Sequence, residues 1–294
     1  MRKVIVRIKG GLGNQLFCYA AARRLALINN AELVIDDITG FTRDNQYYRQ
    51  YALDRFSIPV RKATAIERLE PFERCRRAAL KWSSRRKVFA ERRYLEQEGL
   101  DFDARLLTVR VQDTLFLDGL WQSEGYFKDV EQIVREDLRI TPPTDVLGQC
   151  LADEILNSEA VAVHMRWFDV PGSTATYNLS ADYYQRAIAL VESEVDSPHY
   201  FLFSDNPGAA MAMLKMPDGR VTCIAHNQGH EKAYADLWLM TQCRHFITAN
   251  STFSWWGAWL GTKKNKIVLT PKLKLDGKTA WGFKGLIPNE WLVV

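Results

Sequence analysis

Long apolar runs are missing from this sequence. No stretch reaches the roughly 18–20 apolar residues that a bilayer-crossing helix requires, so a transmembrane span is excluded. The opening Met1-Arg2-Lys3 leads straight into Val4-Ile5-Val6-Arg7-Ile8, which reads as a strand and not as the apolar centre of a secretion signal. Cysteine is sparse: Cys18, Cys75, Cys150, Cys223 and Cys243 are odd in number, scattered, and never in Cys-x-x-Cys spacing. Neither a zinc site nor a disulfide framework is indicated, and a reduced, cytoplasmic protein is expected. The sequons at Asn178 and Asn250 then read as chance matches. Charge of one sign is modest at +4, too mild to imply a nucleic-acid partner. There is no internal repeat and no low-complexity segment. No Asp-x-Asp pair lies where a metal-held nucleotide-sugar would need one, and no serine or cysteine sits in a nucleophile elbow, so no metal or cofactor is expected.

What is present is an alternation of strands and helices. Lys3–Ile8 predicts a strand, Gly10–Gly13 a turn, Asn14–Ile28 a helix and Glu32–Ile35 a second strand, the opening of a parallel α/β unit. Residues 61–100 read as charged and helical with weak periodicity, and Leu115–Trp121 as a strand. Thr141-Pro142-Pro143-Thr144 marks the break between two lobes, 1–143 and 144–294. In the second lobe strands are predicted at 161–165, 200–203, 221–224, 245–248 and 266–269. Helices are predicted at 180–192, with Ser180 as cap, at 231–243 and at 252–260. With 47% apolar residues, each lobe has material for a core. In sheets of this kind ligands sit beyond the carboxyl ends of the strands.

Charge is unevenly placed. Residues 74–93 carry nine bases against the single acid Glu91, net +8, so the rest of the chain sums to −4. Such runs are usually solvated helix faces. Trp82, Val88 and Phe89 on the same segment also suit an anionic membrane surface.

Four motifs carry chemistry. Gly10-Gly11-Leu12-Gly13-Asn14-Gln15 lies between a strand and a helix. It is not a dinucleotide fingerprint, because Leu16 occupies the place of the third glycine, and no Lys-Ser/Thr follows to make a phosphate loop. Gly11 and Gly13 let a ligand approach the backbone, and Asn14 and Gln15 add amides at a helix start. A plain capped turn explains the motif equally well. His164 and Arg166 share a strand face at the carboxyl end of 161–165, where a forked guanidinium suits a diphosphate, although His164 alone reads as a core histidine. Ser204-Asp205-Asn206 ends another strand with groups fit for a nucleotide or for an Asx turn. Asn250-Ser251-Thr252 opens an aromatic helix, whose free N–H groups and dipole favour an anion. Trp255, Trp256 and Trp259 are expected to pack inside.

Together these motifs resemble the α1,2-fucosyltransferases of glycosyltransferase family 11. That family opens with GGLGNQ and an apolar helix, here GGLGNQLFCYAAARRLA. It carries HxRRGD, here HMRWFD from His164 to Asp169, and an NSTFSWW segment, here Asn250 to Trp256. AYADLWLMTQCRHFITA and ADYYQRAI are also similar, in the right order over nearly the whole chain. The resemblance implies a fold of the GT-B type, two Rossmann-type lobes with a cleft between them. The first lobe would serve the acceptor and the second GDP-fucose. It implies inverting, metal-independent transfer of L-fucose from GDP-β-L-fucose to the 2-hydroxyl of a galactoside in an O-antigen or other oligosaccharide. That acceptor could be lipid-linked, placing the enzyme on the inner face of the membrane. His164, Arg166 and Asp169 match the motif's His, first Arg and Asp, while Trp167 and Phe168 replace its second Arg and Gly. Asp169 and Asn14 are the candidates for the surroundings of the acceptor hydroxyl. Two alternatives stand beside this reading: a sugar transferase of other linkage or donor, and a non-catalytic glycan- or nucleotide-sugar-binding relative.

Overall fold

The computed structural model describes all residues except 169–176, 215, 218, 276–277 and 280. The chain forms two compact units, Met1–Ile140 with Phe283–Leu286, and Thr141–Gly282 with Ile287–Val294. The division falls at the start of the Thr-Pro-Pro-Thr break, and the return of 283–286 to the first unit has no signal in the sequence.

The first unit holds β1 (Lys3–Arg7), α1 (Leu12–Ile28), β2 (Glu32–Asp36), β3 (Arg61–Lys62), α2 (Glu73–Arg85), β4 (Tyr94–Glu96), β5 (Thr114–Asp118) and α3 (Glu131–Asp137). Its five strands are parallel in the order β3-β2-β1-β5-β4. Alternation along the strands sends Ile5, Val34 and Phe116 to one face, where they pack with Ala63 and Tyr94 against Leu80 of α2. On α1, twelve of seventeen residues are buried. It is joined to α3 by Asp137, which accepts from the Tyr19 hydroxyl and Arg23 Nε, both at 2.7 Å. The helix predicted across 61–100 is confined to α2. Arg61–Lys62 and Tyr94–Glu96 are short sheet strands instead, because Val34, Ile35, Phe116 and Leu117 offer them backbone partners that local propensity does not register.

The second unit contains α4 (Val146–Leu156), β6 (Ala160–Met165), α5 (Ala181–Glu194), β7 (His199–Ser204), α6 (Pro207–Met213), β8 (Val221–Ile224), α7 (Ala233–Gln242), β9 (His245–Ile247), α8 (Thr252–Leu260) and β10 (Val268–Thr270). A hairpin of β11 (Lys274–Leu275) and β12 (Lys278–Thr279) follows, then β13 (Leu292–Val293). The six-stranded sheet runs β13-β10-β9-β6-β7-β8, again parallel. Such a sheet needs cover on both faces. Val161, Val163 and Met165 of β6 pack with Tyr183, Tyr184, Ala187 and Val191 of α5. Ala162 and His164 point the other way, and His164 meets Phe253 of α8 with ring centroids 5.4 Å apart. Trp255, Trp256 and Trp259 of α8 are buried as expected and stack among themselves, the first two at 5.0 Å and nearly edge-on. Each such burial contributes on the order of 2–3 kcal/mol, so the aromatic run makes α8 a fixed platform whose first turn lies at the carboxyl edge of the sheet.

Candidate active site

The candidate site of the second unit is built on that carboxyl edge, where β6, β7, β8 and β9 all end. All of β6 is buried, so its terminus has little freedom. His164 lies within it, fully desolvated. Burial, reinforced by the Arg166 charge, pulls its pKa down to about 3, so the imidazole is neutral throughout the physiological range. Its Nδ1 is buried without a hydrogen-bond partner among the described residues. Such an orphaned polar atom costs roughly 1–3 kcal/mol, which makes Nδ1 a candidate to meet a ligand or a water.

Arg166 is the first residue past β6. Its surroundings at the strand end are specific. Arg166 Nη1 donates to Asp205 Oδ2 in a very short contact, and Asp205 Oδ1 accepts from the Trp167 backbone N–H at 2.7 Å. Asp205 follows β7, and the β6–β7 register, Met165 opposite Ser204, puts the two residues side by side. On its other side the guanidinium lies 5.2 Å from the centre of the Phe168 ring. Phe168 N–H donates to Asn178 Oδ1 at 2.6 Å, and its ring rests edge-on against Tyr177. Among the described residues no carboxylate engages Nη2 or Nε, which leaves that edge for an anion. Trp167, the replacement for the family's second arginine, turns to the apolar cluster around α5. Asp169 lies outside the described residues.

At α8 the cap is Ser251, whose Oγ accepts from Phe253 N–H at 3.3 Å. Ser254 Oγ accepts from Ala249 N–H and donates to Ser251 O, locking the strand-to-helix turn. Asn250 donates through Nδ2 to Tyr177 O at 2.9 Å, while its Oδ1 is buried without a partner among the described residues. Thr252 begins the first turn. Ser204 is partly consumed by structure, its Oγ accepting from Asn206 N–H at 3.1 Å. Asn206 caps α6 through Ala209 N–H.

Sequence reasoning missed Asp236. It sits in the first turn of α7, which starts at the same carboxyl edge. Burial raises its pKa from 3.8 to about 7, opposed by a hydrogen bond from Asn227 Nδ2 at 2.8 Å. A carboxyl poised near neutrality is a functional candidate. The available signal was the one acid in the apolar helix AYADLWLMTQ.

In the first unit the Gly-rich turn lies beyond β1. Gly10 adopts φ +77, open to glycine at little cost, and α1 is capped by Gly11 and begins at Leu12, two residues earlier than expected. Gly13 therefore lies inside the first helical turn. Gln15 is not a ligand group. Its Nε2 donates to Gly10 O and Gln50 O, and its Oε1 accepts from Ala52 N–H. The buried side chain satisfies one backbone group of the turn after β1 and two of the loop between β2 and β3. Asn14 Oδ1 accepts from Gln122 Nε2 at 2.8 Å. Close by in sequence, Asp118 is held at a pKa of about 2. Its burial is outweighed by Lys9, by the Tyr94 hydroxyl and by Arg7. It is a fixed countercharge that ties the ends of β1 and β5 together. Among the described residues, no cluster of three or more His, Cys, Asp or Glu is arranged to hold a metal ion.

An Escherichia coli alpha-1,2-colitosyltransferase is 25% identical over 298 residues, covering 99% of each chain. The Escherichia coli O-antigen biosynthesis glycosyltransferase WbnK is 27% identical, covering 90% of this chain and 92% of its own. The solved fucosyltransferase NodZ from Bradyrhizobium superposes with a TM-score of 0.53 at 16% identity, covering 87% of this chain and 91% of that one. A mutant of Arabidopsis thaliana FUT1 in complex with GDP gives 0.55 at 15% identity, covering 94% of this chain and 71% of that one. These two likenesses concern the fold, the two-unit α/β architecture of the GT-B type. The sequence model of glycosyl transferase family 11 spans residues 3–280, from β1 through both sheets, and the chain therefore belongs to glycosyltransferase family 11.

Proposed function

We propose that the chain transfers L-fucose from GDP-β-L-fucose to the 2-hydroxyl of a galactoside, with inversion and without a metal, giving an α1,2 linkage. The observation that carries this reading is Arg166, held at the carboxyl end of β6 by Asp205, with one guanidinium edge that no carboxylate among the described residues engages. In the reaction the bond between fucose C1 and the β-phosphate oxygen breaks. The acceptor O2 bonds to C1 from the opposite face and loses its proton, and GDP departs with the electron pair. The growing negative charge on GDP is where fixed positive groups lower the barrier. Arg166 and the amino end of α8, with Asn250, Ser251 and Thr252, supply them, so no divalent cation is needed in this account.

The second unit, with Ser204 and Asp205, serves the donor. Asp236 is suited to accept the paired N–H groups of a guanine. Neutral His164 offers Nδ1 to the sugar or phosphate. In the first unit, Asn14 serves the acceptor side, and Gly11 and Gly13 offer backbone N–H groups to a phosphate. Asp169 joins Asn14 as a candidate for the hydroxyl's surroundings by family resemblance alone. The two Escherichia coli relatives, an alpha-1,2-colitosyltransferase and an O-antigen biosynthesis glycosyltransferase, support an α1,2 linkage and an O-antigen glycan, and an acceptor of that kind would be carried on a lipid. NodZ has been crystallised as an α1,6-fucosyltransferase soaked with GDP-fucose, which supports the donor.

One relative favours a second donor. Colitose is fucose without its 3-hydroxyl, and the colitosyltransferase aligns end to end with this chain. The test is transfer from GDP-fucose and from GDP-colitose onto β-galactosides in excess EDTA. The proposal expects fucosylated product in EDTA and at least tenfold preference for GDP-fucose. A preference for GDP-colitose, or activity only after Mn²⁺ or Mg²⁺ is restored, would overturn it.

A further inference from the structure

The basic segment 74–93 is sorted by the structure into two populations. On the inner side of α2, Arg77 donates to Asp36 and Thr39, and Lys81 pairs with Glu96. Beyond the helix Arg92 pairs with Glu98 and Arg93 with Asp113. These cations are spent on holding the unit together. The outer side differs. Cys75, Ala78, Ala79 and Trp82 are exposed and, at spacings of three and four, form an apolar stripe along the helix. Arg74 and Arg76 flank that stripe on either side. Arg86 lies over the Trp82 ring at 3.4 Å. Among the described residues none of these three arginines has a carboxylate partner; Arg76 donates to the Glu70 carbonyl instead.

Large apolar groups are exposed at both ends of the stripe: Phe72 is 74% exposed, Trp82 60% and Val88 65%. Beyond Val88 lies a shallow cavity of about 190 Å³ lined by Lys87, Arg92, Arg93 and Arg110, with Glu91 and Asp113 also in its wall. Lys87 and Arg110 form no ion pair among the described residues. A solvated helix face gains nothing from bare Phe, Trp and Val side chains. An apolar stripe edged by unneutralised arginines is the pattern of a helix lying in a membrane interface.

We propose that the outer face of α2, continued through Val88 to the Lys87–Arg110 cavity, docks on a membrane surface bearing anionic phospholipid. The stripe enters the headgroup region and the arginines meet lipid phosphates. This surface is independent of the donor assignment, because it uses none of the residues at the carboxyl edge of the second sheet.

The test is flotation of the full chain with vesicles of phosphatidylcholine alone or mixed with phosphatidylglycerol, alongside transfer assays on a soluble acceptor. The protein should float with the mixed vesicles at low ionic strength, stay behind with neutral ones, and be released near 1 M salt, where charges are screened within about 3 Å. Each surface cation contributes about 1 kcal/mol. The double variant Arg74→Gln/Arg76→Gln should therefore partition on the order of 30-fold less, and Trp82→Ser should also weaken binding. Both should keep wild-type transfer to the soluble acceptor. Glycerol 3-phosphate should not release the protein; release would mean a site for a small soluble anion and would overturn the proposal. Equal flotation with both vesicle types, flotation with neither, or unchanged flotation of the double variant would overturn it as well. None of these outcomes bears on the donor reading, which the soluble assay follows separately.

Discussion

Consider the removal of Arg166 and of the carboxylate that aims it. The side chains of Arg166 and Asp205 are 24% and 35% exposed, so their pairing adds at most about 1 kcal/mol to stability, and variants at either position should fold. Their effect on turnover should be far larger. Arg166→Ala removes one fixed positive group from a developing phosphate charge, an effect of about 10²–10³ in kcat. Lysine restores a charge but not the fork, so Arg166→Lys should recover only part of the loss. Asp205→Asn keeps an acceptor for the Trp167 N–H and removes the charge that orients Nη1. Exchanging a charge-assisted bond for a neutral one is worth about 1.4 kcal/mol, or about tenfold in kcat. If Asp205 acts through Arg166, the two effects must not add: Arg166→Ala/Asp205→Asn should be no slower than Arg166→Ala alone. Steady-state transfer assays on the wild type and the four variants, with melting curves as a folding control, decide the matter. Near wild-type turnover by Arg166→Ala would refute the assignment. Faster turnover by Asp205→Asn would show that the carboxylate competes with the donor.

Three further outcomes follow from the same chemistry. Because burial holds the His164 pKa near 3, its ionisation should be absent from the kcat profile between pH 5 and 9, and His164→Asn should lower activity without moving any inflection in that range. Asp236 binds its proton more tightly folded, at about 7, than unfolded, near 3.8. Its contribution to stability is therefore full below pH 4 and is lost as pH rises to about 7; denaturant titrations across pH 4–8 should show that slope flattened in Asp236→Asn. Gln15→Leu strands the Gly10 and Gln50 carbonyls and the Ala52 N–H, and chemical denaturation should report a loss of about 2–4 kcal/mol, where a surface glutamine would cost almost nothing.

The strands of the second sheet were legible because a doubly covered parallel strand is a short apolar block, and 221–224 coincides with its predicted span. The Ser180 cap was legible for a local reason: a serine before an amphipathic run satisfies the first free N–H groups wherever the helix goes. What failed depended on distant partners. β3 and β4 exist only as neighbours of β2 and β5, and the packing of 283–286 with the first unit is a tertiary event. At the site, Arg166 could be picked out by its place at a strand end, but its partner Asp205 lies 39 residues away and emerges from strand register. The structural role of Gln15 was illegible for the same reason, its acceptors and donor being backbone groups at 10, 50 and 52. Asp236 looks ordinary in a helix until burial shifts its titration.

The central claim is the bond that is made, and the most direct measurement is the NMR structure of the product formed from GDP-β-L-fucose and a β-galactoside. This account predicts an α-L-fucosyl residue on galactose O2, formed with inversion and in the presence of EDTA. A β-linked fucose, attachment at another galactose hydroxyl, or GDP release with no new glycosidic bond would contradict it.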